Sequence, residues 1–87
     1  MVSEVMTIKN PSGLHARPAS NFVKTANSFK CKVAVKFNDT EYNAKSILAL
    51  MSAAIKSGSE IEISCDGEDE AQALAAIKAA VESGLGE

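Results

Sequence analysis

The chain is poor in aromatic residues and has no long apolar run. It contains no Trp, three Phe and one Tyr, although 46% of its residues are hydrophobic. The core must therefore consist mainly of aliphatic side chains. No apolar stretch approaches the ~20 residues of a membrane-spanning helix, and residues 1–5 lack the character of a signal peptide. We therefore expect a cytoplasmic protein that does not insert into a membrane.

The sequence also lacks a strong charge excess and the usual residues of a metal site. A formal net charge of −2 provides no positive field for binding nucleic acid. A single histidine and the absence of a CxxC pair leave no typical zinc site. With no Gly-rich nucleotide loop either, we expect no metal, no cofactor and no turnover enzyme. Cys31 and Cys65 each continue an alternating apolar pattern, which predicts buried, reduced thiols.

Apolar spacing alternates between strand-like and helix-like segments. Met6 and Ile8 predict a first strand that ends at a type I turn over Asn10-Pro11-Ser12-Gly13, and helical spacing starts at Ala16. Further strands are predicted over 32–37, 40–44 and 61–65, with a turn at 38–39, a short helix after Ser46 and a last helix from 68–70 to 84. This order predicts one α+β domain over 1–87, with helices on one face of a mainly antiparallel sheet.

The segment around His15 combines a nucleophile with an anion-binding position. The turn before His15 and the helical spacing after it place the imidazole at a helix N-terminus, where backbone N–H groups lack internal partners. Pro18 fits the first turn, since its missing N–H costs no hydrogen bond there. Arg17 can add a guanidinium to a phosphate on His15. From the residues alone, His15 could instead simply cap or pack the helix start.

Two motifs extend this interpretation. Gly13-Leu14-His15-Ala16-Arg17-Pro18-Ala19 resembles the active-site signature of the HPr family, the histidine-containing phosphocarriers of the bacterial sugar phosphotransferase system. Residues 43–51 resemble the second signature of that family, and residues 66–71 are similar to the usual start of its last helix. The resemblance implies an open-faced β-sandwich of four antiparallel strands with three helices on one side. It also implies that phospho-enzyme I phosphorylates His15 at Nδ1 and that the phosphoryl group passes to an enzyme IIA domain.

The same resemblance implies a partner surface and a regulatory residue. Ser46 resembles the serine that HPr kinase/phosphorylase modifies in many Gram-positive bacteria, with a catabolite-control transcription regulator as a further partner. Residues 47–55 hold more apolar side chains than one helix stripe can bury, so some should be exposed. Asn27 and Ala49 stand where some relatives carry Lys, which reduces the basic patch. The family implies a monomer whose partner contacts are Ala16, Pro18, Ser20, Lys24, Ile47, Leu48 and Met51.

Three other interpretations stay open at this point. An HPr-like paralogue in a nitrogen-related or dihydroxyacetone-kinase relay would keep His15 but use different partners. A regulatory module similar to the catabolite-repression paralogue of HPr would act through the serine without an active histidine, and His15 argues against it. A small α+β interaction domain without phosphotransfer is also possible, because a fold alone never fixes function.

Overall fold

Four antiparallel strands and three helices form the molecule, for which a computed structural model describes residues 1–11 and 13–85. In chain order the elements are β1 (Val2–Thr7), α1 (Ala16–Asn27), β2 (Lys32–Phe37), β3 (Thr40–Asn43), α2 (Ile47–Ser52), β4 (Glu60–Asp66) and α3 (Glu70–Glu82). The strands lie side by side in the order β1-β4-β2-β3, and every neighbouring pair is antiparallel. The predicted α+β fold, with four antiparallel strands and three helices, is confirmed.

The core lies between one face of the sheet and the helices. Along β4, Ile61, Ile63 and Cys65 are buried while the residues between them are more exposed, as expected for side chains that alternate across a sheet. The predicted stripe of α1 is also buried, with Phe22 at its centre. The opposite face of the sheet carries the exposed alternate residues and has no helix over it, so it is open.

Strand β1 is longer than its apolar pattern indicated. It begins at Val2 rather than near Met6, because residues 2–7 pair with Cys65 back to Glu60 of β4. Val5 faces outward and is exposed, whereas Glu4 points to the helix side and its carboxylate bonds Lys78 of α3 at 2.9 Å. Because the apolar residue faces outward and the charged residue faces the helices, a prediction based on apolar alternation missed the first half of the strand.

The other element boundaries differ little from the prediction. β3 ends at Asn43 instead of Ala44, and α3 ends at Glu82 rather than Gly84. Asn38 and Asp39 have φ angles of 52° and 62°, as in the primed turns that match the twist of a β-hairpin. Both cysteines are buried and free, which confirms the packing interpretation.

Candidate functional site

His15 is the N-cap residue of α1, and its side chain is exposed. Its backbone is extended, with φ −76° and ψ −173°, and its side chain makes no capping hydrogen bond. The imidazole is therefore not used to complete the helix, as it would be if His15 served only as a cap. A side chain in this position can react with a group that approaches from solvent.

The first turn of α1 has backbone donors next to this imidazole that no bond within the helix uses. The N–H of Ala19 donates to the carbonyl of His15 at 2.8 Å, and Pro18 has no N–H. The N–H groups of Ala16 and Arg17 precede the first such bond and have no partner within the helix. No acidic residue lies in the first turn. The partial positive charge of the helix N-terminus is thus left available for an anion.

The loop before His15 is held against the segment that follows α2. The N–H of Gly13 donates to the carbonyl of Asn10 at 3.0 Å, which closes the predicted turn, and the N–H of Leu14 donates to the carbonyl of Ile55 at 2.9 Å. Ser12, which the same prediction includes, lies outside the described residues. Gly13 has φ +67°, and a Cβ there would lie 2.5 Å from the Ile55 carbonyl oxygen. The approach to His15 is therefore fixed by a close backbone contact that requires glycine.

An open cleft of about 300 Å³ lies beside His15. It is lined by Leu14 and His15 on one side and by Met51, Ala54, Ile55 and Lys56 on the other. The cleft brings the histidine next to a lysine and to the exposed end of α2. Lys56 and Ala54 were not predicted at the site, because only the long-range bond between Leu14 and Ile55 places them there. No local sequence signal indicates that contact.

The two segments that form the cleft carry cationic and apolar side chains but no carboxylates. Neither residues 5–38 nor residues 42–59 contain Asp or Glu, and these two segments supply both α1 and α2 as well as the cleft. Arg17, Lys24 and Lys56 are exposed on them, and none of the three forms an ion pair within the described part of the chain. This absence of acidic residues is a signal that could have been read from the sequence.

The short helix α2 presents the apolar residues that the sequence predicted to be exposed. Leu48 is 82% exposed, and Ile47 and Met51 are exposed by 40% and 43%, while Leu50 is fully buried. Ser46 is the N-cap of this helix, and its hydroxyl accepts a hydrogen bond from the N–H of Ala49 at 3.2 Å. Ser46 therefore caps the short helix that was predicted to follow it. Its side chain is half-buried.

The residues expected to contact partners do not all lie on the surface. Ala16, Ser20 and Lys24 are exposed. Pro18, however, is fully buried, so the expectation that it touches a partner does not fit its position, and it supports the first turn from within. Asn27 is exposed, and its side-chain N–H donates to the carbonyl of Lys45 at 3.4 Å. At the position where some relatives carry a Lys, this chain thus has an uncharged side chain with a local hydrogen bond.

An exposed histidine at a helix N-terminus, with exposed apolar side chains nearby, is the arrangement expected of a phosphoryl-carrier domain. Comparisons with known proteins specify the class further. A family model described as "PTS HPr component phosphorylation site" matches residues 2–83. The chain belongs to the HPr family of phosphocarrier proteins of the phosphotransferase system, which are carriers and not catalytic enzymes.

Individual relatives match along nearly the whole chain. The phosphocarrier protein HPr of Neisseria meningitidis serogroup A is 41% identical over 87 residues, which cover 100% of this chain and 98% of that protein. The HPr-like protein Crh of Bacillus subtilis is 40% identical and covers 94% of this chain and 96% of its own length. The crystal structure of HPr-C-His from Thermoanaerobacter tengcongensis matches with TM-score 0.97 at 40% identity, over 100% and 98% of the two chains.

A dimer among the similar structures bears on the expected oligomeric state. The crystal structure of an HPr dimer from T. tengcongensis matches all of both chains with TM-score 0.80 and 40% identity. The expectation that a chain of this family is a monomer is therefore wrong as a general rule. Within residues 1–11 and 13–85, no helix is long and apolar enough to cross a membrane.

Proposed function

We propose that this chain carries a phosphoryl group on His15, which it accepts from phospho-enzyme I and passes to sugar-specific enzyme IIA domains. The observation that carries the proposal is the exposed imidazole at the N-terminus of α1, beside the first N–H groups of that helix. In the first step Nδ1 of His15 forms a bond to phosphorus while the bond to the donor breaks. In the second step the same bond breaks as the acceptor takes the phosphoryl group, so the chain is a covalent intermediate.

Positive charge near His15 supports the role of an anion carrier. The N–H groups of Ala16 and Arg17 can donate to phosphate oxygens, and the guanidinium of Arg17 can pair with the same group. Lys56, on the opposite side of the cleft, adds a third source of positive charge. No carboxylate of α1 or α2 opposes these groups.

The surface formed by Ile47, Leu48 and Met51 together with the cleft is the proposed docking surface. Exposed apolar side chains next to isolated cations match the composition of a protein interface with an apolar centre and a polar rim. Lys24, with Ala16 and Ser20, extends this surface along α1. Because the surface lacks acidic residues, its charge complements acidic partner surfaces.

Phosphorylation of Ser46 is the proposed regulatory event. A phosphoserine adds about −1.5 to −2 charge at pH 7, and at the start of a helix such a charge is tolerated. The charge would stand next to the docking surface and would weaken binding of an acidic partner. HPr kinase/phosphorylase and a catabolite-control transcription regulator are the corresponding proposed partners, and the proposed location is the cytoplasm.

A phosphorylation assay with one histidine variant and one serine variant tests the carrier role. The wild type, His15→Ala and Ser46→Ala are each incubated with enzyme I, phosphoenolpyruvate and Mg²⁺, and intact mass and phosphorus NMR are recorded. We expect one acid-labile phosphate on the wild type and on Ser46→Ala, and none on His15→Ala. Subsequent addition of enzyme IIA should remove the phosphate. A wild-type chain that stays unmodified, with enzyme I active on another HPr, contradicts the proposal.

A regulatory module that acts through Ser46 is the second candidate function. It is favoured by the similarity to Crh of Bacillus subtilis, which is nearly as high as the similarity to HPr proteins. Incubation with ATP and an HPr kinase separates the two functions. An acid-stable phosphate that disappears in Ser46→Ala, on a chain that enzyme I does not modify, would favour the regulatory module.

A further inference from the structure

Cys31 and Cys65 are neighbours on the inward face of the sheet. Val33 of β2 pairs directly with Cys65 of β4. Cys31 comes immediately before β2, two residues before Val33, and is buried as Val33 is, so we place it on the same side of the sheet. Diagonal neighbours of this kind on adjacent antiparallel strands can contact each other. Both thiols are free, and the two residues are only 2% and 0% exposed.

A hydrogen-bonded carboxylate fixes the backbone at Cys31. Asp69 accepts hydrogen bonds from the backbone N–H of Lys30 at 2.8 Å and of Cys31 at 2.9 Å. Cys65 is held in β4 opposite Val33. The backbones of the two cysteines are therefore fixed relative to each other.

The two thiols differ in access to solvent. Cys31 lines an open cleft of about 390 Å³, whose other lining residues include Lys30, Tyr42 and Lys45. Cys65 does not line this cleft. Cys31 therefore lies nearer to solvent than Cys65, which is fully buried. Burial raises the pKa of the Cys31 thiol, and burial together with Cys31 raises the pKa of Cys65 to about 11, so we expect both to react slowly. Because only Cys31 lines the cleft, we expect it to react first.

We propose that Cys31 and Cys65 are a redox modification site that closes to an intrachain disulfide when the protein meets a hydroperoxide. The Cys31 thiolate attacks a peroxide oxygen, the O–O bond breaks, and Cys31 becomes a sulfenic acid while water or an alcohol leaves. The sulfur of Cys65 then attacks the Cys31 sulfur, an S–S bond forms, and the sulfenic oxygen leaves as water. With hydrogen peroxide, two thiols and one peroxide give one disulfide and two water molecules.

The disulfide would join the start of β2 to the end of β4, beyond the C-terminus of α1. His15 is at the other end of that helix, which has 12 residues and is therefore about 18 Å long. The crosslink touches no residue of the proposed phosphorylation site. It should raise stability by restricting the unfolded chain and leave phosphoryl transfer unchanged. This inference does not depend on the proposed function.

Oxidation of the full-length wild-type chain by hydrogen peroxide tests the proposal. We expect the intact mass to fall by two hydrogen atoms, and peptide mapping without reductant to join the Cys31 and Cys65 peptides. Dithiothreitol should reverse both changes. The Tm of the oxidised chain should rise by roughly 20 °C, as expected for a crosslink that closes a loop of this length.

Matched variants identify the order of reaction. In Cys65→Ser we expect sulfenic or sulfinic acid at Cys31, and in Cys31→Ser we expect a Cys65 thiol that resists peroxide. Should either variant fail to fold by circular dichroism, the wild-type peptide map still decides. Sulfinic acid at Cys31 beside a free Cys65 thiol in the wild type, disulfides between two chains, or oxidation only in urea would each overturn the proposal.

Discussion

Replacement of Gly13 by alanine should distort the loop that precedes His15. The new Cβ would lie 2.5 Å from the carbonyl oxygen of Ile55 and 2.7 Å from Cα of Lys56, and both are backbone atoms that cannot rotate away. Alanine at a positive φ costs about 1 kcal/mol, and overpacking adds about 1–3 kcal/mol. We therefore expect Gly13→Ala to lower the free energy of unfolding by about 2–4 kcal/mol.

Gly58→Ala is the matched control for this prediction. Gly58 also has a positive φ, +85°, but a Cβ there meets no atom within 4 Å. Only the conformational cost of about 1 kcal/mol should apply. The difference between the two variants therefore isolates the steric contact between the His15 loop and the segment after α2.

Urea unfolding followed by circular dichroism measures both variants. With a slope of about 1 kcal/mol per M for a chain of this size, the midpoint of Gly13→Ala should lie roughly 1–3 M below that of Gly58→Ala. Because displacement of the loop also moves His15, phosphorylation by enzyme I should slow by on the order of 10- to 100-fold in Gly13→Ala alone. Equal midpoints for the two variants would refute the contact as the reason for glycine at position 13.

Three further predictions concern α2 and the start of α3. Ala54 has φ +54° just after α2, so Ala54→Gly should raise the free energy of unfolding by about 0.5–1 kcal/mol in urea titrations, and a lower midpoint would contradict this. Leu48→Ala should change stability by less than about 0.5 kcal/mol but weaken enzyme IIA binding in NMR titrations, whereas Leu50→Ala should cost about 2–5 kcal/mol. The backbone N–H of Lys30 is the main cause that holds the pKa of Asp69 below its ordinary value of 3.8. The hydrogen bond from this N–H to the Asp69 carboxylate therefore stabilises the fold above pH 3.8, and its contribution is lost as the pH falls through the lowered pKa of Asp69. Urea midpoints of wild type and Asp69→Asn should thus differ near neutral pH and converge in acid, and a constant difference would contradict the assignment.

The sequence predicted those helices and strands in which every buried position carries an apolar residue. In β4 and α1 the apolar positions coincide with the buried ones, so spacing alone located both elements. In β1 the inward Glu4 is compensated by Lys78 of α3, a partner that is distant in the chain. The alternation therefore failed in the first half of β1 for an electrostatic reason that only the packed structure contains.

The residues of the site likewise fall into those that the sequence could predict and those that it could not. His15, Arg17 and the helix start are contiguous in the chain, so residue chemistry could point to them, although it left a purely structural role open until the family resemblance was added. Lys56 is separated from His15 by two strands and two helices, and the bond between Leu14 and Ile55 brings them together. A contact of this type has no signature in local composition.

The exposed position of His15 has a consequence for the proposed relay. A carrier must present the same atom to a donor and then to an acceptor, so a site buried within the chain would exclude both partners. Exposure, however, leaves the phosphoryl group open to water between the two steps. Exclusion of water during transfer must then come from the partner, and the exposed side chains of Leu48 and Met51 next to the cleft are the apolar surface against which a partner can close. If the partner excludes water, the chain itself needs only to position His15. This explains why the loop and the helix start are held by backbone contacts while the imidazole is left exposed.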